Sequence, residues 1–475
     1  MTRLESGTGS DHAATRALPP GLLFGTATSA YQIEGRAADR GTTVWDTFCR
    51  QPGNIRDGSD GDVACEHLDR MTEDLDLLAG LGVDAYRFSV AWSRVQPDGT
   101  GRPSEQGLAV YDRLVDGLLE RGIRPYTTLF HWDLPQALED DGGWLNRTTA
   151  ERFAEYAELV ADRIGDRVDT WITLNEPYCH THLGYGTGVH APGHRLFGAA
   201  FDTAHHQLLG HALAAPRLRG HAPVAVANSY STAWPASPSG EDAAAARLQE
   251  AWHNAVYTDP LLLGRYPDEI ERVPGVSLDC VRDGDLSLMR GSLDVLGVNY
   301  YTLNRVGAPM PGAAWPWTEH GLPEREHTSI GWPIVPEGLP EMLRWLRNRY
   351  GDLLPPLVVT ENGCCYEDEP VAGQIHDDDR IRYVGAHLRA LADATAEGIA
   401  VRGYFYWSLL DNFEWADGYT RRFGLVHVDF ATQQRTPKRS YWWLREQLAT
   451  HRQRREGLPY PASTSAEGSR SPQGG

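Results

Sequence analysis

Short runs of β-branched and aromatic residues recur along the chain, and between several of them apolar positions fall every three or four residues. The runs are LLFGTATSA from Leu22, AYRFSV from Ala85, RPYTTLF from Arg124, TWITLNE from Thr170, PVAVANS from Pro223, LDVLGVNYY from Leu293, PLVVTENG from Pro356 and VRGYFYWSLLD from Val401. Their composition and length are those of strands. The segments EDLDLLAGLG before Val83, YDRLVDGLLERG before Ile123 and ERFAEYAELVADRIGD before Arg167 have helical periodicity and end at or near glycine, as helix C-termini tend to. Eight strands alternating with helices predict an α/β protein folded as a single (β/α)8 TIM barrel with long βα loops, in preference to an open doubly wound sheet.

The pattern fades at both ends. Residues 1–18 are small and polar, and residues 452–475 are rich in Arg, Ser, Pro and Gly, so both read as disordered tails around one domain spanning 19–451. No linker of that composition divides the middle of the chain. Clustered Pro, Gly, Ser and Ala make 232–246 and 302–330 read as loops.

A barrel places its chemistry at the C-terminal ends of its strands and in the loops just after them. The polar and aromatic residues that break the apolar runs lie there. Gln32 follows the first run, Arg87 lies on the second, and His131 and Asp133 follow the third. Asn175 and Glu176 end the fourth, Asn299 to Tyr301 the sixth, and Glu361 and Asn362 the seventh, while Trp407 to Trp415 run off the eighth.

Composition narrows the partners. With 64 acidic against 44 basic residues the formal charge is −20, a field that repels nucleic acid, polyphosphates and anionic lipid surfaces and leaves neutral or cationic small molecules as the easier ligands. Lys438 is the only lysine. No stretch approaches the roughly 20 apolar residues of a membrane span, and the N-terminus lacks the apolar core of a signal peptide, so a cytoplasmic enzyme is the expectation. The six cysteines form no CxxC pair and read as reduced thiols, the adjacent Cys364 and Cys365 included. The histidines of HTH at 180–182 and HH at 205–206 lack partners at metal-ligand spacing, so neither metal nor cofactor is expected. No assembly patch stands out, and the oligomeric state is not legible.

Two glutamates in similar settings, LNEP at Glu176 and TENG at Glu361, can face each other across the mouth of a closed barrel. A carboxylate pair suits glycoside hydrolysis, one group protonating the leaving oxygen and the other attacking or stabilising the sugar's anomeric centre. Arg87 would keep one of them ionised while the other held its proton. Sugars pair apolar CH faces with rings of hydroxyls, and WSLLDNFEWADGY offers both aromatic platforms and a carboxylate in Trp407, Trp415 and Glu414. The plainer alternatives are an arginine ion pair for a lone Glu, core filling for Trp407 and a loop anchor for His131.

These motifs, FGTATSAYQIEG at 24–35, YRFSVAWSR at 86–94, LFHWDLPQAL at 129–138, TLNEP at 173–177, GVNYYT at 297–302, VTENG at 359–363, WSLLDNFEWADGY at 407–419 and RFGLVHVDF at 422–430, resemble those of the family 1 glycoside hydrolases, the β-glucosidase and β-galactosidase group, in the family's order. The resemblance implies a retaining β-glycosidase acting on a small β-glycoside or oligosaccharide, with Glu176 as acid/base and Glu361 as nucleophile. It implies that Arg87, Asn299 and Tyr301 support the nucleophile, and that Gln32, His131, Asn175, Trp407, Glu414, Trp415 and Phe423 bind the sugar. It further implies a cis peptide between Trp407 and Ser408. Glu414 argues against 6-phosphorylated substrates, and Glu176 against a thioglucosidase. Departures after NEP, where Tyr178 replaces a common Trp, and after ENG, at Cys364 and Cys365, put the aglycone in question; Tyr178 and Trp332 are the aglycone candidates. A catalytically dead sugar-binding protein and a transglycosylase are the competing readings.

Overall fold

The computed structural model describes residues 18–456. Apart from Leu18, which is buried, and 452–456, which continue the last helix (Arg439–Glu456), the tails expected at 1–18 and 452–475 lie outside the described residues. All eight apolar runs form strands: β1 (Leu23–Ala27), β2 (Ala85–Ser89), β3 (Arg124–Phe130), β4 (Thr170–Asn175), β5 (Val224–Ser229), β6 (Val295–Asn299), β7 (Leu357–Asn362) and β8 (Val401–Trp407). They close into a barrel in the order β1-β8-β7-β6-β5-β4-β3-β2, parallel at every junction.

Helices Met71–Leu81, Glu105–Glu120 and Thr148–Ile164 occupy the three periodic segments. The second starts at Ser104, whose hydroxyl accepts from the Gly107 amide at 3.1 Å. The first ends at Gly82 in the left-handed conformation (φ 80°), which glycine adopts without a Cβ clash.

Most of the apolar core lies between the sheet and the helices. Inside the barrel, small residues (Ala27, Ala85, Ala225, Ala227) leave room for Tyr126 and Phe405, whose rings lie 4.9 Å apart. Gly25 is required by this packing, since a Cβ there would sit 2.3 Å from the Phe405 ring.

Two expectations are corrected. Residues 240–246, read as loop, begin the helix Gly240–His253, with Ser239 accepting from the Asp242 amide at 3.1 Å. The Pro-Ser-Gly cluster ends there, and the alanines after it are strong helix formers. The 302–330 segment contains strands Asn304–Gly307 and Thr318–His320, which join Ala233–Pro235 in a three-stranded sheet beside the barrel mouth.

The loop after β8 is tied down from beneath. Lys438 Nζ donates to Asp368 (2.6 Å) and Asp411 (2.7 Å), Arg380 pairs with Asp368 and Asp377, and Arg422 closes on Asp411 at 2.9 Å. Lys438, Arg380 and the three aspartates are buried, so each charge depends on its neighbours for solvation. Among the described residues no helix is long and apolar enough to cross a membrane.

Candidate active site

A cavity of about 470 Å³ opens at the C-terminal end of the barrel. Of the fourteen residues singled out from sequence, ten line it: Glu176, Glu361, Tyr301, His131, Trp407, Glu414, Trp415, Phe423, Tyr178 and Trp332. Arg87, Asn175 and Asn299 stand one layer behind, bonded to the two glutamates or to each other. Gln32 is buried and its amide is engaged, donating to Asn412 (3.0 Å) and the Phe413 carbonyl (2.8 Å) and accepting from Ser29 (2.6 Å). It braces the loop that carries Glu414.

Glu361, near the end of β7, accepts from Arg87 Nη1 at 2.5 Å through Oε1 and from the Tyr301 hydroxyl at 2.7 Å through Oε2. Glu176, directly after β4, accepts from Asn299 Nδ2 at 3.0 Å, and its backbone is in the left-handed region (φ 43°). Trp132 (φ 76°) and Trp415 (φ 48°) share that conformation, so three cavity-lining residues without glycine's freedom hold a backbone geometry that costs roughly 1–3 kcal/mol each. Such strain persists where surrounding contacts over-determine it, and here it aims side chains inward.

Behind the carboxylates runs a continuous polar layer. Asn175 Oδ1 accepts from Arg87 Nη2 (2.6 Å) and Asn299 Nδ2 (3.0 Å), and Asn299 Oδ1 accepts from the Thr360 hydroxyl (2.6 Å). With its oxygen committed, the Asn175 amide donates to His131 Nε2 at 3.0 Å, which places the ring proton on Nδ1. Burial and the Arg87 charge hold His131 well below its ordinary pKa, so it is neutral. Its buried Nδ1 has no partner among the described residues.

The two glutamates differ in charge state for a visible reason. Burial, followed by the charge of Glu361, pushes Glu176 up to about 8. Burial raises Glu361 as well, but Arg87 and the Tyr301 hydroxyl oppose the shift. Of the pair, Glu361 is therefore the carboxylate and Glu176 the acid near neutral pH. Burial, then the charges of Asp417, Glu361 and Glu176, also push Glu414 up to about 8, and its Oε2 is buried without a partner.

Aromatic residues form the walls. Trp407 lies 5.6 Å from the His131 ring at 20°, and Trp415 lies 6.0 Å from it at 19°. The Trp407–Ser408 peptide is cis. Gly363 lets the end of β7 approach it, because a Cβ there would fall 1.9 Å from the Trp407 carbonyl oxygen. On the other side Tyr301, Trp332 and Phe423 pack within 5.3 to 6.3 Å of one another.

Sequence reasoning missed several neighbours. Cys179, three residues beyond Glu176 and thus one helical turn on, also lines the cavity, and burial together with the charge of Glu176 raises its pKa. His182 and His253 flank Tyr178 with rings 5.1 and 3.7 Å away, nearly parallel. The i, i+4 spacing of Tyr178 and His182 was a local signal; His253 arrives from a distant helix and had none. Glu319 reaches the cavity from the three-stranded sheet. The six cysteines are free thiols.

The glycosyl hydrolase family 1 model matches residues 14–453. The chain is 45% identical over 433 residues to a β-glucosidase of Agrobacterium sp., covering 90% of this chain and 94% of the relative. It is 44% identical to a bifunctional β-D-glucosidase/β-D-fucosidase of Bifidobacterium breve, covering 92% and 99%. Among solved structures, the psychrophilic β-glucosidase BglU of Micrococcus antarcticus superimposes with a TM-score of 0.89 at 42% identity over 93% of this chain and 99% of that one. The virulence factor SghA of Agrobacterium tumefaciens, in complex with its substrate analog salicin, gives a TM-score of 0.89 at 42% identity over 94% and 99%.

Proposed function

Because the chain belongs to glycosyl hydrolase family 1 and is an O-glycosyl hydrolase of the β-glucosidase type, we propose that it cleaves terminal β-D-glucosyl residues with retention, through a glycosyl intermediate on Glu361. The observation that carries this reading is the unequal pair: Glu361 held by Arg87 and Tyr301, Glu176 pushed up to about 8. The Glu361 carboxylate attacks the anomeric carbon as the glycosidic C–O bond breaks, and the Glu176 proton passes to the departing oxygen. Glu176, now a base, takes a proton from water as that water attacks the same carbon and releases Glu361.

On this reading Trp407 is the floor under the sugar ring, and His131, Asn175, Glu414, Trp415 and Phe423 surround its hydroxyls. Asn299 ties the two glutamates to Asn175, and Gln32 braces the Glu414 loop. Tyr178 and Trp332 face the aglycone. β-D-Fucosides and β-D-galactosides are further substrates, the former supported by the bifunctional Bifidobacterium relative. A small aryl glucoside is supported as substrate by the salicin complex of SghA. Glu414 counts against a 6-phosphate, and Arg421 just beyond it is already paired with Asp417 at 3.1 Å. Breakdown of small glycosides in the cytoplasm is the role that goes with this activity; cell fractionation tests the location.

Two measurements test the reading. The sugar first released from 4-nitrophenyl β-D-glucoside should be the β-anomer by NMR, and a 2-deoxy-2-fluoro β-glucoside should leave a label on Glu361 in peptide mass spectrometry. Release of the α-anomer, or a label elsewhere, overturns it.

A further inference from the structure

Five carboxyl groups and no arginine or lysine line the cavity: Glu176, Glu361, Glu414, Asp417 and Glu319. Glu176, Glu361 and Glu414 belong to the sugar end described above, and Asp417 lies three residues beyond Glu414. Glu319 does not belong to that end. It lies at the exposed rim, on strand Thr318–His320 opposite Val306, and its charge is felt by the Tyr178 hydroxyl.

The arginines that flank this strand in the sequence are already committed. Arg305, on the adjoining strand, pairs with Glu324, and Arg325 pairs with Glu337 at 2.6 Å. Asp417, across the mouth, has its own partners in Arg421 (3.1 Å) and Arg56 (3.3 Å). The Glu319 side chain has neither an ion pair nor a hydrogen bond among the described residues. The imidazoles beside Tyr178 cannot neutralise it, because burial keeps His182 and His253 far below their ordinary pKa, at about 4 and about 3.

The chemistry of this end is therefore one unpaired carboxylate near the Tyr178 hydroxyl, with the faces of Tyr178 stacked against neutral imidazoles and Trp332 as a further aromatic ring lining the same cavity. A carboxylate beside π-faces favours a cation that carries an apolar body, since ring quadrupoles and the carboxylate attract the same charge. We propose that the aglycone subsite selects aromatic aglycones bearing a protonated amine and discriminates against those bearing a carboxylate, with Glu319 as the residue that sets the preference. This rests on the β-glucosidase reading of the site and specifies its substrate class.

The test uses three β-D-glucosides of para-substituted phenols whose leaving abilities match because the charge sits beyond an ethyl spacer: 2-ammonioethyl, ethyl and 2-carboxyethyl. At pH 7 and low salt, kcat/KM should fall in that order by about five- to tenfold per step. The spread should shrink as ionic strength rises, because an exposed carboxylate is screened. In Glu319→Gln the ratio of cationic to neutral substrate should fall to near one, whatever the absolute rates. Equal rates on the three glucosides, or a ratio unchanged in Glu319→Gln, overturns the proposal while leaving the glucosidase reading intact. Failure to cleave the ethyl compound at all counts against that reading instead.

Discussion

Replacing Tyr301 by phenylalanine removes one hydroxyl and leaves the ring that packs against Trp332 at 5.3 Å. That hydroxyl donates to Glu361 Oε2 at 2.7 Å inside a site where the carboxyl is buried. Hydrogen bonds to charged groups are worth about 1.5–3 kcal/mol, and 1.36 kcal/mol corresponds to one pKa unit, so the Glu361 pKa should rise by about one to two units. The sign follows from what the bond favours. The donor stabilises the ionised form, its loss raises the pKa, and the acidic limb of kcat/KM moves to higher pH. On the proposed reading the basic limb belongs to Glu176, which burial and then the charge of Glu361 push up to about 8. Glu176 keeps its Asn299 bond in the variant, so the basic limb should move less than the acidic one and the bell should narrow from its acid side. The assay is kcat/KM for 4-nitrophenyl β-D-glucoside between pH 4 and 9 in buffers of constant ionic strength. An unmoved acidic limb, with activity reduced equally at every pH, would refute the assignment of that limb to Glu361.

Glu176→Gln should erase the basic limb and lower kcat by about 10²–10⁴-fold on substrates with poor leaving groups, measured over the same pH range. Lys438→Met leaves Asp368 and Asp411 facing each other without their shared ammonium; a loss of about 3–5 kcal/mol in urea unfolding is expected, the cost of an uncompensated buried charge. Since Asp411 is held below the usual carboxylate range, burial notwithstanding, by Lys438 and Arg422, its contribution is present above the ordinary Asp pKa and is lost as pH falls through the depressed one. Acid denaturation followed by fluorescence should therefore begin at higher pH in the variant. Trp332→Ala should raise KM for aryl glucosides by about tenfold through lost ring contact, with a smaller effect on a methyl glucoside; equal effects on both would place Trp332 at the sugar.

The strands and the three periodic helices were legible because each is set by local composition, and the barrel followed from their alternation. The helix at Gly240–His253 was not, since its start is masked by a Pro-Ser-Gly cluster and its alanines carry little amphipathic signal. Tyr178 could be singled out by its place after NEP, whereas the imidazole of His253 against it depends on a helix that begins more than sixty residues later. Gln32 was legible as a polar residue at a strand end, but only the folded chain shows its amide turned to Asn412 and Phe413.

By itself the sequence determined the element types and the barrel, and it singled out the two glutamates as candidates, because those depend on periodicity and on short motifs whose residues are neighbours in the chain. Only the tertiary structure decided how the surroundings of the two glutamates differ and which side chains line the cavity with them. Those depend on burial and on charges brought from separate strands: Arg87 of β2 on Glu361 of β7, Lys438 beneath the loop after β8, and Glu319 unpaired at the rim. Coulombic and desolvation energies depend on distance through space and on exclusion of water, which a linear order of residues does not encode.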